Sequence, residues 1–320
     1  FDIDSNTVIQ TLETENIIFG GGINYSSWED NLYITTYASG VHWYKYQDVA
    51  EFIDKFGNDN MNNIMYPMDD CIVIGSGFLF ENGIVFYDIS DPLNTNEVNR
   101  IEVDCPSFNF YVWGDVLIIV QTMEDNEGFL IYDVSDPANP CLTNTIELNV
   151  SVYGYLHRAL IDNYEPGFLY IYSNEVSKLR KFDISQPGKA ELMFEHDMQI
   201  PYTGDDPVIS NGVMYVLSPA GNTNWYNLIV YAGLQDNEPV LYDIIEYFVL
   251  FPRIPFLKIS GGYLVVYYWG ESYANTYFYS LSDPINPQLV FQNNYCGYPL
   301  ITDDLLFQSS ASTVYVFRIN

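Results

Sequence analysis

Aspartate, serine and proline recur in a short phrase whose residue types could do chemistry. Two copies read Asp-x-Ser-Asp-Pro, at residues 88–92 and 133–137, and two variants stand at residues 183–187 and 280–284. Carboxylates beside hydroxyls are groups that general acid–base catalysis uses, and carboxylate oxygens also bind Ca2+. The phrase therefore first suggests an active site or a calcium loop.

The same phrase also has a purely structural interpretation. Asp and Ser side chains hydrogen-bond to backbone amides a few residues on, and Pro ends a strand because it fixes φ. Since the phrase is repeated, each copy is expected to have the same geometric role. We interpret it as a rigid corner, with corner residues Asp88, Asp91, Asp133, Asp136, Asp183 and Asp283.

Established enzyme and metal motifs are absent from the chain. It has no Gly-x-Ser-x-Gly elbow, no His-Glu-x-x-His pair and no Asp-x-[Asp/Asn]-x-[Asp/Asn]-Gly loop. The three histidines, His42, His157 and His196, fall on strands of different type. We predict no cofactor, no catalytic residue and no metal site, with Ca2+ as the one open alternative.

The phrase marks one joint of a longer repeat. Each copy follows an alternating apolar strand that ends near an aromatic residue. The equivalent positions, 38–50 residues apart, are Lys45, Asp88, Asp133, Asp183, Ala232, Ser280 and Arg318. Periods of about 40–50 residues with four short strands per unit are typical of propeller blades. We predict an all-β fold in one domain over residues 1–320, a seven-bladed β-propeller of four-stranded antiparallel blades.

The two ends of the chain indicate how the ring closes. The last unit stops after its third strand, and an unassigned apolar strand at residues 7–13 precedes the first complete unit. We predict that residues 7–13 pair with residues 313–319 and complete the last blade. Such closure leaves only short, protected strand edges.

Residues 129–140, Phe-Leu-Ile-Tyr-Asp-Val-Ser-Asp-Pro-Ala-Asn-Pro, resemble the LVIVD repeat. This is a bacterial and archaeal β-propeller repeat found mainly in secreted or surface proteins. Four units contain the phrase recognisably, whereas the first, fifth and last depart from it. The resemblance implies the fold and a location outside the cytoplasm, and it implies no activity because the family has no shared catalytic set.

Charge restricts the partners of this chain. The net charge is -31, because only 11 Lys and Arg stand against 42 Asp and Glu. Nucleic acid requires a clustered basic surface, and anionic membrane surfaces also attract basic segments, so neither is an expected partner. No apolar stretch approaches the roughly 18 residues of a membrane helix. Residue 1 is Phe rather than Met, and we expect an extracellular or cell-surface protein whose signal peptide has been removed.

The four cysteines do not form a metal or redox motif. Cys71, Cys105, Cys141 and Cys296 include no Cys-x-x-Cys pair. We expect buried or half-buried free thiols, and one or two disulfides are the alternative.

Aromatic side chains with cationic neighbours gather in the loops expected at one mouth of the central channel. The predicted ligand-binding residues are Phe108, Tyr153, Tyr155, His157, Arg158, Tyr202, Arg253, Trp269, Tyr295 and Tyr298. The rings would stack on sugars or a peptide, and Arg158 and Arg253 would anchor a carboxylate or sulfate. We predict a non-enzymatic protein that binds a glycan or a protein at this face, opposite the corners.

Three alternatives stay open from the sequence. The aromatic side chains could simply pack between blades. The protein could be a carbohydrate-active hydrolase or lyase that uses Asp205, Asp206 or Glu271, which requires two carboxylates about 5–10 Å apart. It could instead be a structural subunit of a surface assembly with a large exposed aromatic patch. The oligomeric state is not predicted.

Overall fold

The computed structural model describes β-strands and the shorter turns that connect them. The described residues are 8–13, 23–26, 31–36, 40–46, 50–56, 63–68, 70–76, 83–91, 94–103, 108–121, 128–147, 157–160, 162, 165, 167–173, 178–186, 189–198, 207–219, 226–247, 255–267, 275–295, 297–302, 305–310 and 313–318. Over these residues the chain forms strands and turns only. The all-β class predicted from the sequence is confirmed.

The strands of the described residues assemble into seven four-stranded antiparallel sheets. The first three are β2 (Ile23–Ser26), β3 (Asn31–Thr36), β4 (Gly40–Tyr46) and β5 (Ala50–Phe56); β6 (Asn63–Met68), β7 (Cys71–Ser76), β8 (Gly83–Asp88) and β9 (Asn96–Glu102); and β10 (Phe108–Trp113), β11 (Val116–Gln121), β12 (Gly128–Asp133) and β13 (Cys141–Glu147). The next three are β14 (His157–Leu160), β15 (Phe168–Ser173), β16 (Lys178–Asp183) and β17 (Glu191–Asp197); β18 (Val208–Ser210), β19 (Val213–Pro219), β20 (Tyr226–Ala232) and β21 (Val240–Tyr247); and β22 (Phe256–Ser260), β23 (Tyr263–Tyr267), β24 (Thr276–Ser280) and β25 (Gln288–Asn293). Each of these sheets is a meander of consecutive strands, so the predicted four-stranded antiparallel blade is confirmed.

The remaining sheet joins the two ends of the chain. It consists of β26 (Pro299–Ile301), β27 (Leu305–Ser310), β28 (Thr313–Arg318) and β1 (Val8–Glu13), in the order β1-β28-β27-β26. The first and last strands pair antiparallel, with Leu12 opposite Val314. Leu12 is buried against the last sheet and also belongs to the cluster that contains Ile34 of the first complete sheet. The N-terminal strand therefore ties the end of the ring to its beginning.

The sheets stand side by side around a central axis. The first strands of neighbouring sheets touch, as in β2 with β6, β6 with β10, β18 with β22, β22 with β26 and β26 with β2. Apolar clusters fill the spaces between sheets, and one of them joins Phe86 to Phe110 and Leu117. A ring of antiparallel blades around a channel is a β-propeller.

Burial changes from the axis to the rim. The strand β23 is buried at every position, because its two faces pack against the neighbouring blades. The outer strand β13 alternates between exposed and buried residues, since only one of its faces meets another blade. This gradient explains why the second and third strands are the most apolar segments of each repeat.

A β-bulge lies at the same joint in all seven described sheets. The register between the third and fourth strands shifts where the third strand reaches Tyr44, Tyr87, Tyr132, Phe182, Tyr231 and Tyr279. The seventh shift lies in the β1–β28 pair, opposite Phe317 and Val316. A bulge adds a residue to one strand and increases its twist. The extra residues include Val98, Met193, Tyr242 and Val290, which accounts for their exposure on outer strands.

We predict that Gly75→Ala lowers the free energy of unfolding by about 1–3 kcal/mol, because it overpacks the space between two blades. An added Cβ at Gly75 would lie 2.1 Å from Cε1 of the buried Phe110 ring. Chemical denaturation would measure the loss. Adding Phe110→Leu should recover part of it, because the smaller side chain leaves room for the methyl group. Strictly additive effects of the two substitutions would contradict this explanation.

A largely buried ion pair lies at the boundary between two blades. Lys181 is only 2% exposed, and its Nζ lies 2.5 Å from Glu165 Oε1 and 3.4 Å from the carbonyl oxygen of Leu234 in the next blade. Tyr170 donates a hydrogen bond to the other oxygen of Glu165. Close by, the carboxylate of the fully buried Asp162 accepts hydrogen bonds from the amides of Asn211 and Gly212. The bonds from Lys181 to Leu234 and from residues 211–212 to Asp162 join two blades, and the contacts of Glu165 hold Lys181 within its own blade.

Glu165→Gln is expected to reduce stability by about 3 kcal/mol, because it leaves the Lys181 charge buried without its counter-ion. Urea denaturation followed by circular dichroism would measure the change. The double variant Glu165→Gln, Lys181→Met should regain most of the loss, since no buried charge then remains. If Glu165→Gln unfolds at the same urea concentration as the wild type, the pair does not contribute in this way.

Candidate ligand-binding site

The repeated phrase forms corners on the face that also contains the tight turns. The amides of Ser90, Ser135 and Ser185 each donate a hydrogen bond of 2.9 Å to the carboxylate two residues earlier, in Asp88, Asp133 and Asp183. In the fourth copy, Ser280 Oγ accepts the bond from the Ser282 amide at 3.3 Å. The carboxylates are therefore used within the corner itself.

The residue between the Asp and the Ser locks each corner onto the neighbouring tight turn. The amide of Ile89 donates to the carbonyl of Asp70, that of Val134 to Asp115 and that of Ile184 to Gly167. Leu234 and Leu281 make the same bond to Gly212 and Gly262. The side chains of Ile89, Val134, Ile184 and Leu234 are buried, which explains why this position of the phrase is apolar.

Asp91, Asp136 and Asp283 form the second half of the corner. Their carbonyl oxygens accept hydrogen bonds from the amides of Asn94, Asn139 and Asn286. The Asp136 carboxylate also accepts bonds from the Ala138 amide and the Asn139 side chain. All six predicted corner residues thus lie in turns that are closed by local hydrogen bonds.

Hydrogen bonds from the serine two residues on lower the pKa of Asp88, Asp133 and Asp183 below the usual range. Because the folded-state pKa lies below the unfolded value of about 3.9, these carboxylates stabilise the fold above that pH. The contribution is lost as the pH falls through the folded-state pKa.

We predict that replacing Asp88, Asp133 and Asp183 together by Ala lowers stability at pH 7 by about 0.5 kcal/mol per site, a small effect because the corners are exposed to solvent. Once the pH falls below the folded-state pKa values, the wild type and the triple variant should converge, since the wild-type carboxylates are then protonated. Denaturation over a pH series would measure this, with the exposed Asp236→Ala as control. A stability difference that is independent of pH would contradict the explanation.

A cavity of about 560 Å³ occupies the central channel at the end formed by the tight turns. Its walls come from the first strands and the turns that follow them. The lining residues are Tyr66, Tyr111, Val112, Trp113, Leu160, Pro207, Val208, Ile209, Ser210, Asn211, Ile259, Ser260, Gly261, Gly262, Leu281 and Pro284. Aromatic and apolar walls with a few polar groups are the usual composition of a small-molecule site.

Phenol groups face one another inside the channel. Burial raises the pKa of Tyr66 well above its usual value, and the neighbouring Tyr111 and Tyr298 raise it further. Burial also raises the pKa of Tyr298 to about 12. Tyr66 and Tyr298 are therefore neutral at physiological pH, and a phenol in this state can both donate and accept a hydrogen bond.

One cation lies deeper in the channel. Lys258 is in the first strand β22, next to the lining residues Ile259 and Ser260, and its Nζ is 3.5 Å from the centre of the Tyr298 ring. Burial lowers the pKa of Lys258 well below its usual value. The residue as a whole has intermediate solvent exposure.

Half of the ligand residues predicted from the sequence can be placed. Phe108, His157 and Arg158 lie in the first strands β10 and β14. Tyr298 lies under Lys258 and meets the Tyr267 ring edge-on. Tyr153, Tyr155, Tyr202, Arg253 and Trp269 are outside the described residues.

Tyr295 packs between strands. Its ring centre is 4.8 Å from that of Tyr315 and 5.0 Å from that of Phe317, and its carbonyl accepts bonds from Thr276 and Gln308. This is the geometry of the alternative in which aromatic side chains simply pack between blades.

Acidic groups are separate from the central cavity in the part of the chain that the structure describes. None of its lining residues is an Asp or a Glu, and Asp205, Asp206 and Glu271 lie outside the described ranges. A second cavity of about 380 Å³ contains Asp70, Asp88, Asp115 and Asp136 at the corner face. No group of three or more potential metal ligands occurs among the described residues.

The cysteines that can be placed are free thiols. Cys71 is buried, and its burial, reinforced by Asp88, raises its pKa to about 12, whereas Cys141 is exposed. Cys105 and Cys296 are outside the described residues.

Sequence reasoning missed Lys258, Tyr66, Tyr111 and Trp113. It considered the loops around one mouth, whereas these residues lie in first strands, the strands nearest the axis. The sequence did contain a signal for these residues, because lysine is rare in this chain and both Lys258 and the three aromatic residues fall in first strands. Trp113 also directly precedes the tight turn at residues 114–115.

Comparison with known proteins identifies the fold and nothing finer. No protein-family model and no curated protein matches the sequence. The structure is similar to a protein from Lactobacillus plantarum, with a TM-score of 0.65 and 13% identity over 96% of this chain and 89% of that one. It is also similar to the β-propeller domain of Myceliophteria thermophila Cps50 (Swd1), with a TM-score of 0.63 and 9% identity over 96% and 99% of the two chains.

A designed protein, Ika8, gives a TM-score of 0.64 at 9% identity over 98% of this chain and 99% of that one. Among the described residues, no helix is long and apolar enough to cross a membrane. The similarities and the sheet topology together show a repeat protein with the β-propeller fold, an architecture that suits a binding scaffold.

Proposed function

We propose that this protein is a non-enzymatic binding module whose central cavity accepts a sugar unit of a glycan. The observation that supports this most is the cavity of about 560 Å³, because its lining combines Tyr66, Tyr111 and Trp113 with the polar residues Ser210 and Asn211. Its volume lies in the range of small-ligand sites.

The composition of the cavity favours a sugar over an apolar ligand. The apolar face of a sugar ring packs against flat aromatic side chains, while its hydroxyls need hydrogen-bonding partners. Tyr66 supplies a neutral phenol deep in the channel. Residues 210–211 and 260–262 add hydroxyl, amide and backbone groups at the rim.

Rigidity of the walls supports the same function. The turn at residues 211–212 is held by the buried Asp162, and Ser260 Oγ both donates to the Ile301 carbonyl and accepts from its amide. A site whose walls are already ordered loses little conformational freedom on binding. The cavity is therefore pre-formed rather than assembled by the ligand.

The proposal includes a location outside the cell and membership of the LVIVD-repeat propellers. Two features of the sequence support these points, the phrase at residues 129–140 and the net charge of -31. A glycan-binding role is consistent with such a location. Expression of the natural gene with its own leader, followed by fractionation, tests the location directly.

We expect the labelled protein to bind glycans on an array and Trp113→Ala to weaken the strongest interaction about tenfold, because one stacking surface is lost. Isothermal titration calorimetry with the soluble glycan would measure the affinity. Tyr242→Ala is the matched control, since Tyr242 is an exposed aromatic on the outer strand β21. No glycan binding at all, or equal losses in the two variants, would overturn the proposal.

A further inference from the structure

Lys258 differs in its contact partner from five other cationic side chains of the described residues. Carboxylates lie within salt-bridge distance of Lys178, Lys181, Lys189, Arg100 and Arg180. The described contact of Lys258 is instead the face of the Tyr298 ring. A chain with 42 acidic residues thus places one of its six lysines against an aromatic ring in the central channel.

The surroundings of Lys258 form one continuous part of the channel wall. Ile259 and Ser260, the next residues of β22, line the central cavity, and so does Tyr66, which is electrostatically coupled to Tyr298. Tyr267 packs edge-on against Tyr298 and holds the ring under the amine. Lys258 therefore directly precedes, in the same strand, two residues of the cavity wall, and its amine lies on a ring that is close to Tyr66 of the opposite wall.

We propose that Lys258 anchors the anionic group of the channel ligand, and that this ligand is a glycan with a carboxylate-bearing sugar such as a uronic acid. The inference rests on the proposed glycan-binding function and specifies its substrate class. A sugar ring between Trp113 and Tyr66 would direct a carboxylate toward Lys258, where a charge-assisted hydrogen bond replaces the water lost on entry.

The physical basis is the cost of a buried charge. An ammonium group removed from water is destabilised unless an anion or several hydrogen bonds compensate it. The Tyr298 ring compensates part of this cost through its negative face, yet burial still lowers the pKa of Lys258. A bound carboxylate would complete the compensation and raise that pKa again.

This coupling gives binding a definite pH dependence. Described titratable groups in or beside the cavity include Lys258 and the phenols of Tyr66, Tyr111 and Tyr298. Since the pKa of Lys258 is lower without ligand than with it, binding takes up a proton when the pH lies between the two values. Affinity for a carboxylate-bearing sugar should therefore fall as the pH rises through that interval, whereas affinity for a neutral sugar should not.

Calorimetry with D-glucuronate and D-glucose as probes tests the anchor. We expect D-glucuronate to bind about tenfold more tightly than D-glucose, and Lys258→Met to abolish this preference. Lys258→Arg should retain the preference but lose its decline at high pH, because arginine does not deprotonate. Trp113→Ala should weaken both sugars equally.

The outcomes separate the anchor from the binding function. If both sugars bind with equal affinity and Trp113→Ala weakens both, the proposed role of Lys258 is wrong and the proposed binding function stands. If neither sugar binds, the uronic-acid assignment is wrong, and the array result decides the binding function.

Nitrogen NMR of lysine-labelled protein provides a direct measurement, because only six lysines contribute and Lys258→Arg assigns the signal. D-glucuronate should raise the pKa of the Lys258 amine, and D-glucose should not. An unchanged pKa with saturating D-glucuronate would overturn the anchor.

Discussion

The structure depends on one repeated joint, where the third strand of a blade ends. An aromatic residue faces a β-bulge in the fourth strand there, and the amide two residues after that aromatic bonds to the neighbouring tight turn in most blades. The bulge increases the twist of the outer strand, and the bond fixes the turn relative to the corner. The shape of each blade thus depends on contacts within that blade.

Closure makes the channel a defined space. Because β1 completes the sheet of β26–β28, the strands β1 and β28 pair with each other. The first strands then line a common axis, and the turns that follow them surround one end of it. The cavity lies at this end. The hydrogen bonds of the corners and turns that shape the blades also hold the walls of the cavity.

Two lysines show how the same residue type can have different roles. Lys181 lies between blades with Glu165 and Leu234 as partners, so its charge stabilises the assembly of the ring. Lys258 lies on the channel with an aromatic ring beneath it. Among the described residues, a carboxylate lies within salt-bridge distance of Lys181, whereas the contact of Lys258 is an aromatic ring, and it is the Lys258 charge that we propose for a ligand.

The sequence by itself determined the strand order, the blade type, the corners and the pairing partners of the terminal strand, because strand alternation and corner hydrogen bonds act over a few residues. The phrase after Tyr132 is an example, since its Asp133, Val134 and Ser135 each make the bond that their type implies. Only the tertiary structure decided that Lys258 meets Tyr298 and that the cavity lies among the turns. These contacts join residues 40 apart or more, in different blades. These contacts depend on how far each first strand extends toward the axis, and the sequence pattern within one repeat does not specify that distance.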